Sequence, residues 1–314
     1  MHCGRYWPDM NSSPLEQSLT FITGYPRSGT TLLASQLNRL SNVVVGPESQ
    51  YFRSAFKQLK HARNGRQFLD TLLRDRRLRD FGLGNDELLD VVRASGFDRS
   101  RFLHHFLAAH AQRMGVAQPA ILLEKSPGHI LYTRQILACY PDARFIYLVK
   151  DPRDVVHSNL QVDWIHSNVP KHCAAWNMYN DAFVRLHREY PGRVHLIRFE
   201  DLVLGQHLQL RKICQFLGLP YALDDNKPSA VVPEWETRWK AEASGDIDPG
   251  KAFRWQRVED QHQHRLVSAM TRTYREVFNY DREPEGAHPR FIPRAWAYNS
   301  SAYKSLLRFR RIYL

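Results

Sequence analysis

Long apolar runs and paired cysteines are both missing from this chain of 314 residues. No apolar run approaches the roughly 20 residues that a membrane-spanning helix needs, so the sequence predicts no transmembrane segment. The first residues, MHCGRYWPDMNSSPLEQ, contain no apolar signal region, and we therefore expect no export. The four cysteines lie far apart without a CxxC pair, and this usage leads us to expect a reduced, cytoplasmic compartment.

The chain also has fewer acidic than basic residues. The chain has 44 lysine and arginine residues against 32 aspartate and glutamate residues, a net charge of +12. Such a balance is typical of proteins that meet nucleic acid, acidic lipid or acidic small molecules. The cations are spread along the chain and no nucleic-acid-binding motif is present, so we expect no nucleic acid partner. The basic and apolar residues 301–314 fit either peripheral contact with a membrane surface or a terminal helix docked on the body.

Short apolar runs alternate with helical patterns along much of the chain. Five runs are predicted to be strands: residues 19–23, 43–45, 120–123, 145–149 and 194–199. Helical patterns follow four of them: residues 30–40, 130–139, 152–160 and 208–217. This alternation predicts an α/β fold with a central parallel sheet covered by helices on both faces.

The chain is predicted to form a single domain over residues 1–314. A helical insertion is expected between the second and third strands, over residues 51–119, because apolar residues recur there at helical spacing. Another helix is expected near residues 258–274, and residues 282–314 form a C-terminal extension.

The segment LTFITGYPRSGTTLLASQLNRL joins the first predicted strand to the first helix. Gly24 and Gly29 are separated by four residues, the spacing of a Walker A loop, and a helix N-terminus follows. Backbone N–H groups and the helix dipole make such a loop an anion site. Thr30 occupies the position of the Walker lysine, and the nearest cation is Arg27 instead. The loop is therefore expected to hold a phosphate-like group without the lysine and Mg²⁺ arrangement of an ATPase.

Charged residues follow the other predicted strands as well. In an open parallel sheet, ligands bind beyond the carboxyl ends of the strands. The residues expected at this rim are Arg27, Glu48, Glu124, Lys125, Lys150, Asp151 and Arg153. The strand predictions alone thus bring several acids and cations to one edge of the sheet.

The segment TGYPRSGTT resembles the 5′-phosphosulfate loop of sulfotransferases that use 3′-phosphoadenosine-5′-phosphosulfate (PAPS). The resemblance implies that Ser28, Gly29, Thr30 and Thr31 hold the 5′ end of this co-substrate, with charge from Arg27. It extends over residues 21–281, with gaps in the insertion, and it is strongest to the protein-tyrosine and glycan sulfotransferase branch. It implies a P-loop-like nucleotide site and metal-independent sulfuryl transfer.

Two further segments resemble parts of the same family. FIYLVKDPRDVVHS is similar to the 3′-phosphate segment, which implies that Lys150 and Ser158 bind that phosphate, although the family usually has arginine at position 150. KAFRWQRVED resembles the basic loop that closes over the 3′-phosphate, which implies roles for Arg254 and Arg257. A solvated basic turn is an equal alternative for this last segment.

Glu48 and Lys125 are the candidate residues at the reacting centre. The resembling branch has a catalytic glutamate at the position of Glu48, 21 residues after Arg27, which implies a general base. The alternatives for Glu48 are an acidic residue in the N-cap region of a helix and a salt bridge to Arg53. Lys125 is expected to place a second cation near the transferring group, and a surface salt bridge is its alternative. His129 is the second candidate base, since Pro127 stands where the phenol and steroid sulfotransferases carry histidine.

Other functions stay open on the sequence alone. A P-loop kinase or NTPase would share the loop but would need the missing lysine, and a non-catalytic protein that binds polyanions would share the basic charge. No histidine pattern has the spacing of metal ligands, so we expect no metal. The acceptor is expected to be a small molecule, a glycan or a peptide, with either a hydroxyl or an amine as the reacting group. The oligomeric state is not indicated.

Overall fold

A computed structural model of the chain describes residues 19–41, 43–161, 168–224, 233, 235, 247–258 and 260–280. The predicted C-terminal extension, residues 282–314, lies outside the described residues. Within the described part of the chain, no helix combines the length and the apolar character needed to cross a membrane.

A five-stranded parallel sheet forms the centre of the fold. Its strands are β1 (Leu19–Gly24), β2 (Val43–Val45), β3 (Ile121–Lys125), β4 (Arg144–Val149) and β5 (Val194–Arg198). They are arranged in the order β2-β3-β1-β4-β5, and every neighbouring pair is parallel. The predicted α/β class and all five predicted strands are confirmed. Because all strands are parallel, their carboxyl ends meet at one edge of the sheet.

Twelve α-helices are described around this sheet. They are α1 (Thr30–Asn38), α2 (Ala55–Leu59), α3 (Gly65–Arg74), α4 (Arg76–Arg79), α5 (Asn85–Ala94), α6 (Arg99–Arg113), α7 (Thr133–Cys139), α8 (Pro152–Leu160), α9 (Val169–Glu189), α10 (Phe199–Leu204), α11 (Gln206–Leu217) and α12 (Gln261–Val277). Helices α2 to α6 form the predicted insertion between β2 and β3, and short 3₁₀ helices cover Pro127–Tyr132, Pro191–Arg193, Pro249–Lys251 and Arg254–Arg257.

The two faces of the sheet pack into separate cores. Phe21 and Phe145 belong to the larger core, which also takes in Phe102 and Phe106 of the insertion. Successive strand residues point to opposite faces, so Ile22 lies in the second core, with the apolar sides of α1 and α11. Helices therefore cover both faces, as the alternation of strands and helices predicts.

Helix starts differ from the prediction at three places. Helix α11 begins at Gln206 rather than at residue 208. Helix α7 begins at Thr133 rather than at residue 130, because the preceding residues, Pro127–Tyr132, form a 3₁₀ helix. Helix α12 begins at Gln261 rather than at residue 258. Asp260 is its N-cap, and the side chain of Asp260 accepts a hydrogen bond from the backbone N–H of Gln263.

Candidate functional site

The loop between β1 and α1 has a backbone that only glycine fits at two positions. Gly24 has φ 156° and Gly29 has φ 94°. A Cβ atom at Gly24 would lie 2.4 Å from the carbonyl oxygen of Leu148, and one at Gly29 would lie 2.4 Å from Cδ2 of Phe199. The loop is thus pressed against the end of β4 and the start of α10, and Gly29 is the N-cap residue of α1.

This loop has the chemistry of an anion site. Helix α1 begins at Thr30, so the N–H groups of its first turn and its dipole favour a negative group at this end. The hydroxyl oxygen of Ser28 is buried and has no hydrogen-bond partner among the described residues. A buried hydroxyl without a partner is costly unless a ligand satisfies it. Ser28, Gly29, Thr30 and Thr31 therefore fit a bound phosphate-like group.

Arg27 connects this loop to the region beyond β4. Its backbone has a φ of 71°, unusual for a residue with a side chain, and its Nε donates a hydrogen bond of 3.2 Å to the hydroxyl of Ser158 in α8. The segment that resembles the 5′-phosphosulfate loop and the segment that resembles the 3′-phosphate segment are therefore in direct contact.

Lys150 belongs to the second of these segments and lies close to the first. It is buried, and its Nζ is 4.1 Å from the ring centroid of Phe199, the same ring that abuts Gly29. Burial lowers the pKa of the Lys150 ammonium. The negative charges of Asp154 and Glu200 oppose this shift, whereas the positive charges of Arg254 and Arg27 add to it. The structure thus brings Arg27, Ser158, Lys150 and Arg254 into one basic site.

The predicted basic loop docks on the start of α8. The backbone N–H of Trp255 donates to Asp154 over 2.6 Å, and the guanidinium of Arg153 lies 3.6 Å from the Trp255 ring centroid. Arg254 comes within 3.9 Å of Asp248, while Arg257 donates to the carbonyl oxygen of Gly250 in its own loop. Arg254 therefore lies close enough for its charge to lower the pKa of Lys150. The hydrogen bond of Arg257, in contrast, lies within its own loop.

Glu48 and Lys125 form a buried ion pair. The Nζ of Lys125 donates to Oε1 of Glu48 over 3.2 Å, and the two residues are only 3% and 8% exposed. Oε2 of Glu48 accepts from Gln50 over 3.3 Å and lies 3.8 Å from Nη1 of Arg77 in the insertion. Arg53, the alternative partner of Glu48, donates to the side chain of Gln50 over 2.9 Å.

His129 is buried, and both of its ring nitrogens have hydrogen-bond partners. Nδ1 lies 2.7 Å from Oε2 of Glu124, and the backbone N–H of Phe52 donates to Nε2 over 3.3 Å. Because Nε2 accepts, the proton of the neutral ring lies on Nδ1, which donates to Glu124. In this arrangement His129 has no basic nitrogen to offer to an acceptor, whereas Glu48 has a carboxylate beside two cations.

Three residues of the site have no clear signal in the sequence. Phe199 contacts both Gly29 and Lys150, and Arg77 reaches Glu48 from the insertion. Glu200 accepts hydrogen bonds from the backbone N–H of Asp151 over 3.0 Å and from the Tyr280 hydroxyl over 2.6 Å. Burial raises the pKa of Glu200 to about 7, although these hydrogen bonds act in the opposite direction.

Metal ligation has no support in the described part of the chain. Among those residues, no group of three or more histidine, cysteine, aspartate or glutamate side chains is placed to hold an ion.

Comparison with known proteins assigns the chain to a family. The model of the sulfotransferase family matches residues 20–224, from β1 to the end of the segment after α11. The chain belongs to the sulfotransferase family. This confirms the family resemblance of the segments TGYPRSGTT and FIYLVKDPRDVVHS.

Sulfotransferase relatives are found among both sequences and structures. A protein-tyrosine sulfotransferase of Drosophila melanogaster is 25% identical over 66% of this chain and 39% of its own length. Protein-tyrosine sulfotransferase 1 of Danio rerio is 27% identical over 66% of this chain and 54% of its own length. The chain thus spans about half the length of these curated relatives.

Solved structures show the same fold. The sulfotransferase domain from the curacin biosynthetic pathway has a TM-score of 0.60 at 19% identity, over 84% of this chain and 98% of that domain. The sulfotransferase domain of the Synechococcus PCC 7002 olefin synthase also has a TM-score of 0.60, at 20% identity, over 89% of this chain and all of that domain.

Proposed function

We propose that this sulfotransferase-family protein uses PAPS to sulfate a hydroxyl or amine, with Glu48 as the general base. The observation that carries the proposal is the contact between Arg27 and Ser158, which joins two anion-binding segments into one site. PAPS carries anionic groups at both its 5′ and 3′ ends, and when bound it supplies the sulfuryl group and leaves as the bisphosphate.

The residues of the site divide into two groups by what they hold. Ser28, Gly29, Thr30 and Thr31 at the start of α1 hold the 5′ end through N–H and hydroxyl groups, assisted by Arg27. Lys150, Ser158 and Arg254 hold the 3′-phosphate. The pKa of Lys150 is lowered mainly by burial, which disfavours the charged ammonium. A phosphate beside it favours that charged form again. Arg257 remains a weaker candidate for the same phosphate.

Glu48 and Lys125 act on the reacting centre. Glu48 removes the proton of the acceptor, and Lys125 holds positive charge beside it. Catalysis in this arrangement depends on positioning and on fixed charges, as in phosphoryl transfer, which we take as the nearest analogy. His129 stays the second candidate for the base, but its two hydrogen bonds favour Glu48.

The acceptor is proposed to be a peptide tyrosine, a glycan or a small-molecule hydroxyl. The printed names of the relatives support a peptide most directly, because they are protein-tyrosine sulfotransferases. A third relative, from Mycobacterium tuberculosis, is named for sulfation of an omega-hydroxy-beta-dihydromenaquinone, and it is 30% identical over 30% of this chain and 28% of its own length. A cytoplasmic location stays a prediction from the sequence.

A transfer assay tests this function. The protein is incubated with PAPS labelled with ³⁵S on its sulfuryl group and a panel of acceptors: a tyrosine peptide, p-nitrophenol, glucosamine and a long-chain alcohol. We expect label on at least one acceptor, without added metal, and its loss in Arg27→Ala. Arg93→Ala, which alters an exposed arginine paired with Asp90, is the control and should transfer as the wild type does. Label transferred from Mg²⁺ and γ-³²P-ATP instead, or from neither donor, would refute the proposal.

A further inference from the structure

Glu124 is a buried carboxylate that touches neither predicted phosphate site. It is 1% exposed and follows Leu123 on β3, directly before Lys125. Successive side chains on a strand point to opposite faces, so Glu124 and Lys125 diverge although they are neighbours. Burial acts to raise the pKa of Glu124, but His129 and the hydrogen bonds from His129, Ser126 and Ser49 lower it below its usual value. The group is therefore held as an ion in the core.

Three side chains donate hydrogen bonds to this carboxylate. The hydroxyls of Ser49 and Ser126 each donate to Oε1 over 2.6 Å, and Nδ1 of His129 donates to Oε2 over 2.7 Å. Hydrogen bonds to an ionised acceptor are the stronger kind, and a carboxylate can accept several of them. Each of the three side chains is thereby fixed in orientation.

Each of the three also accepts a hydrogen bond from the backbone that follows Glu48. Ser126 accepts from the N–H of Gln50 over 2.8 Å, Ser49 from that of Tyr51 over 3.2 Å, and His129 from that of Phe52 over 3.3 Å. Three consecutive amides are thus connected to one carboxylate. Gln50 has a φ of 45°, so this segment also contains a strained turn that needs outside support.

We propose that Glu124 is a positioning residue that fixes the Glu48–Lys125 pair through these three relays. The relays hold the backbone from Gln50 to Phe52, and this backbone determines where the Glu48 carboxylate lies relative to Lys125. The inference rests on the proposed function, since it concerns the placement of the general base. It assigns His129 to the same relay system rather than to proton abstraction.

The Glu124→Gln variant separates this role from simple packing. A glutamine amide keeps the shape and can still accept from the two serines, but its NH₂ group then faces the Nδ1–H of His129. Two donors in contact repel, and a shift of the ring proton to Nε2 would place it against the N–H of Phe52. The relay through His129 fails in that orientation. In the flipped orientation the NH₂ group faces the serine hydroxyls, whose protons lose their acceptor, so either orientation removes charge-assisted hydrogen bonds from the relays. Ser126→Ala is a milder second variant, because it removes only the relay to Gln50.

Hydrogen–deuterium exchange, calorimetry and turnover together test the proposal. In Glu124→Gln, exchange of the amides of Gln50, Tyr51 and Phe52 should rise, and kcat with the best acceptor of the panel should fall about 10- to 100-fold. The Kd for 3′-phosphoadenosine-5′-phosphate (PAP) and the acceptor KM should stay within about twofold. Ser126→Ala should show the same pattern with smaller changes.

Tyr147→Phe is the control, since it removes a buried hydrogen bond to Asn180 that lies outside this system. It should leave both the exchange of residues 50–52 and kcat unchanged. The proposal is overturned if Glu124→Gln has the kcat of the control, or if its PAP binding weakens as much as its turnover. A wild type that transfers no sulfuryl group would refute the proposed function, whereas unchanged exchange in both relay variants would refute the relays themselves.

Discussion

Lys125 and Glu48 lie 77 positions apart in the chain, yet the ammonium of one donates to the carboxylate of the other over 3.2 Å. The sheet explains the contact, because β2 and β3 are parallel neighbours whose carboxyl ends lie side by side. Both side chains are buried, so each charge depends on the other for compensation. A carboxylate and a cation are thereby held at the edge of the sheet where the loop between β1 and α1 also lies.

Replacement of Glu48 tests the base directly. In Glu48→Gln, kcat should fall by a factor of about 100 or more, because a general base typically contributes 10²- to 10⁴-fold. The Kd for PAP should stay near that of the wild type, since the hydrogen bonds of Glu48 with Lys125 and Gln50 involve none of the residues assigned to the two phosphates. Steady-state kinetics and calorimetry measure the two quantities. A fully active variant would contradict the assignment and direct attention to His129.

Gly29 and Gly115 form a matched pair for a test of the loop. Both have a positive φ, 94° and 82°, but a Cβ atom meets the Phe199 ring only at Gly29, whereas nothing lies within 4 Å at Gly115. Gly115→Ala should cost about 1–2 kcal/mol of stability from backbone strain alone. Gly29→Ala should cost a further 1–3 kcal/mol from overpacking and should also weaken PAP binding. Urea denaturation and calorimetry check both, and equal costs would show that the contact with Phe199 is unimportant.

The lowered pKa of Lys150 predicts a pH dependence of nucleotide binding. Because burial lowers this pKa below that of an ordinary lysine, Lys150 loses its charge at a lower pH than other lysines do. PAP affinity should therefore fall as the pH rises through the alkaline range. Lys150→Arg keeps its charge throughout, and its affinity should stay level over the same range. Calorimetry from pH 7 to pH 10 measures this, and parallel curves for the two proteins would exclude Lys150 as the titrating group.

The raised pKa of Glu200 predicts that its contribution to stability falls as the pH rises. An ordinary paired carboxylate, whose pKa is lowered, contributes more as the pH rises. Its pKa is raised to about 7 in the folded protein from 4.5, so the folded state binds the proton more tightly than the unfolded state. The contribution to stability is present below pH 4.5 and is lost as the pH rises to about 7. Relative to Glu200→Gln, the wild type should lose up to about 3 kcal/mol over this range. Urea denaturation at several pH values checks this, and a constant difference would contradict it.

Local patterns in the sequence predict the sheet and the phosphate loop well. The strands are short apolar runs with clear boundaries, and helix α8 begins at Pro152 as its proline at the first position indicates. The alternation of strands and helices also predicts that Arg27, Glu48, Lys125 and Lys150 lie near one edge of the sheet. These features depend on residues that are close together in the chain, and they can therefore be predicted from the sequence.

Contacts set by tertiary packing could not be predicted in the same way. Lys125 directly follows Glu124 in the chain, but the strand turns Glu124 to the other face, and the sheet order brings Glu48 into reach. Arg77 reaches Glu48 only because of the way in which the insertion docks. The ring of Phe199 lies between Gly29 and Lys150 because α10 starts beside the loop, and no residue spacing indicates that.

Calorimetric titration with PAP tests the central claim most directly, with AMP and Mg²⁺–ATP as competitors. The account predicts that PAP binds about 100-fold more tightly than AMP, which lacks the 3′-phosphate, since two charge-assisted hydrogen bonds are worth about 3 kcal/mol or more together. Ser158→Ala should lose most of that preference, whereas Arg27→Ala should weaken the binding of both nucleotides, because Arg27 is assigned to the 5′ end that they share. Equal affinity for PAP and AMP, or a preference for Mg²⁺–ATP, would contradict the assignment of this site to a PAPS-dependent enzyme.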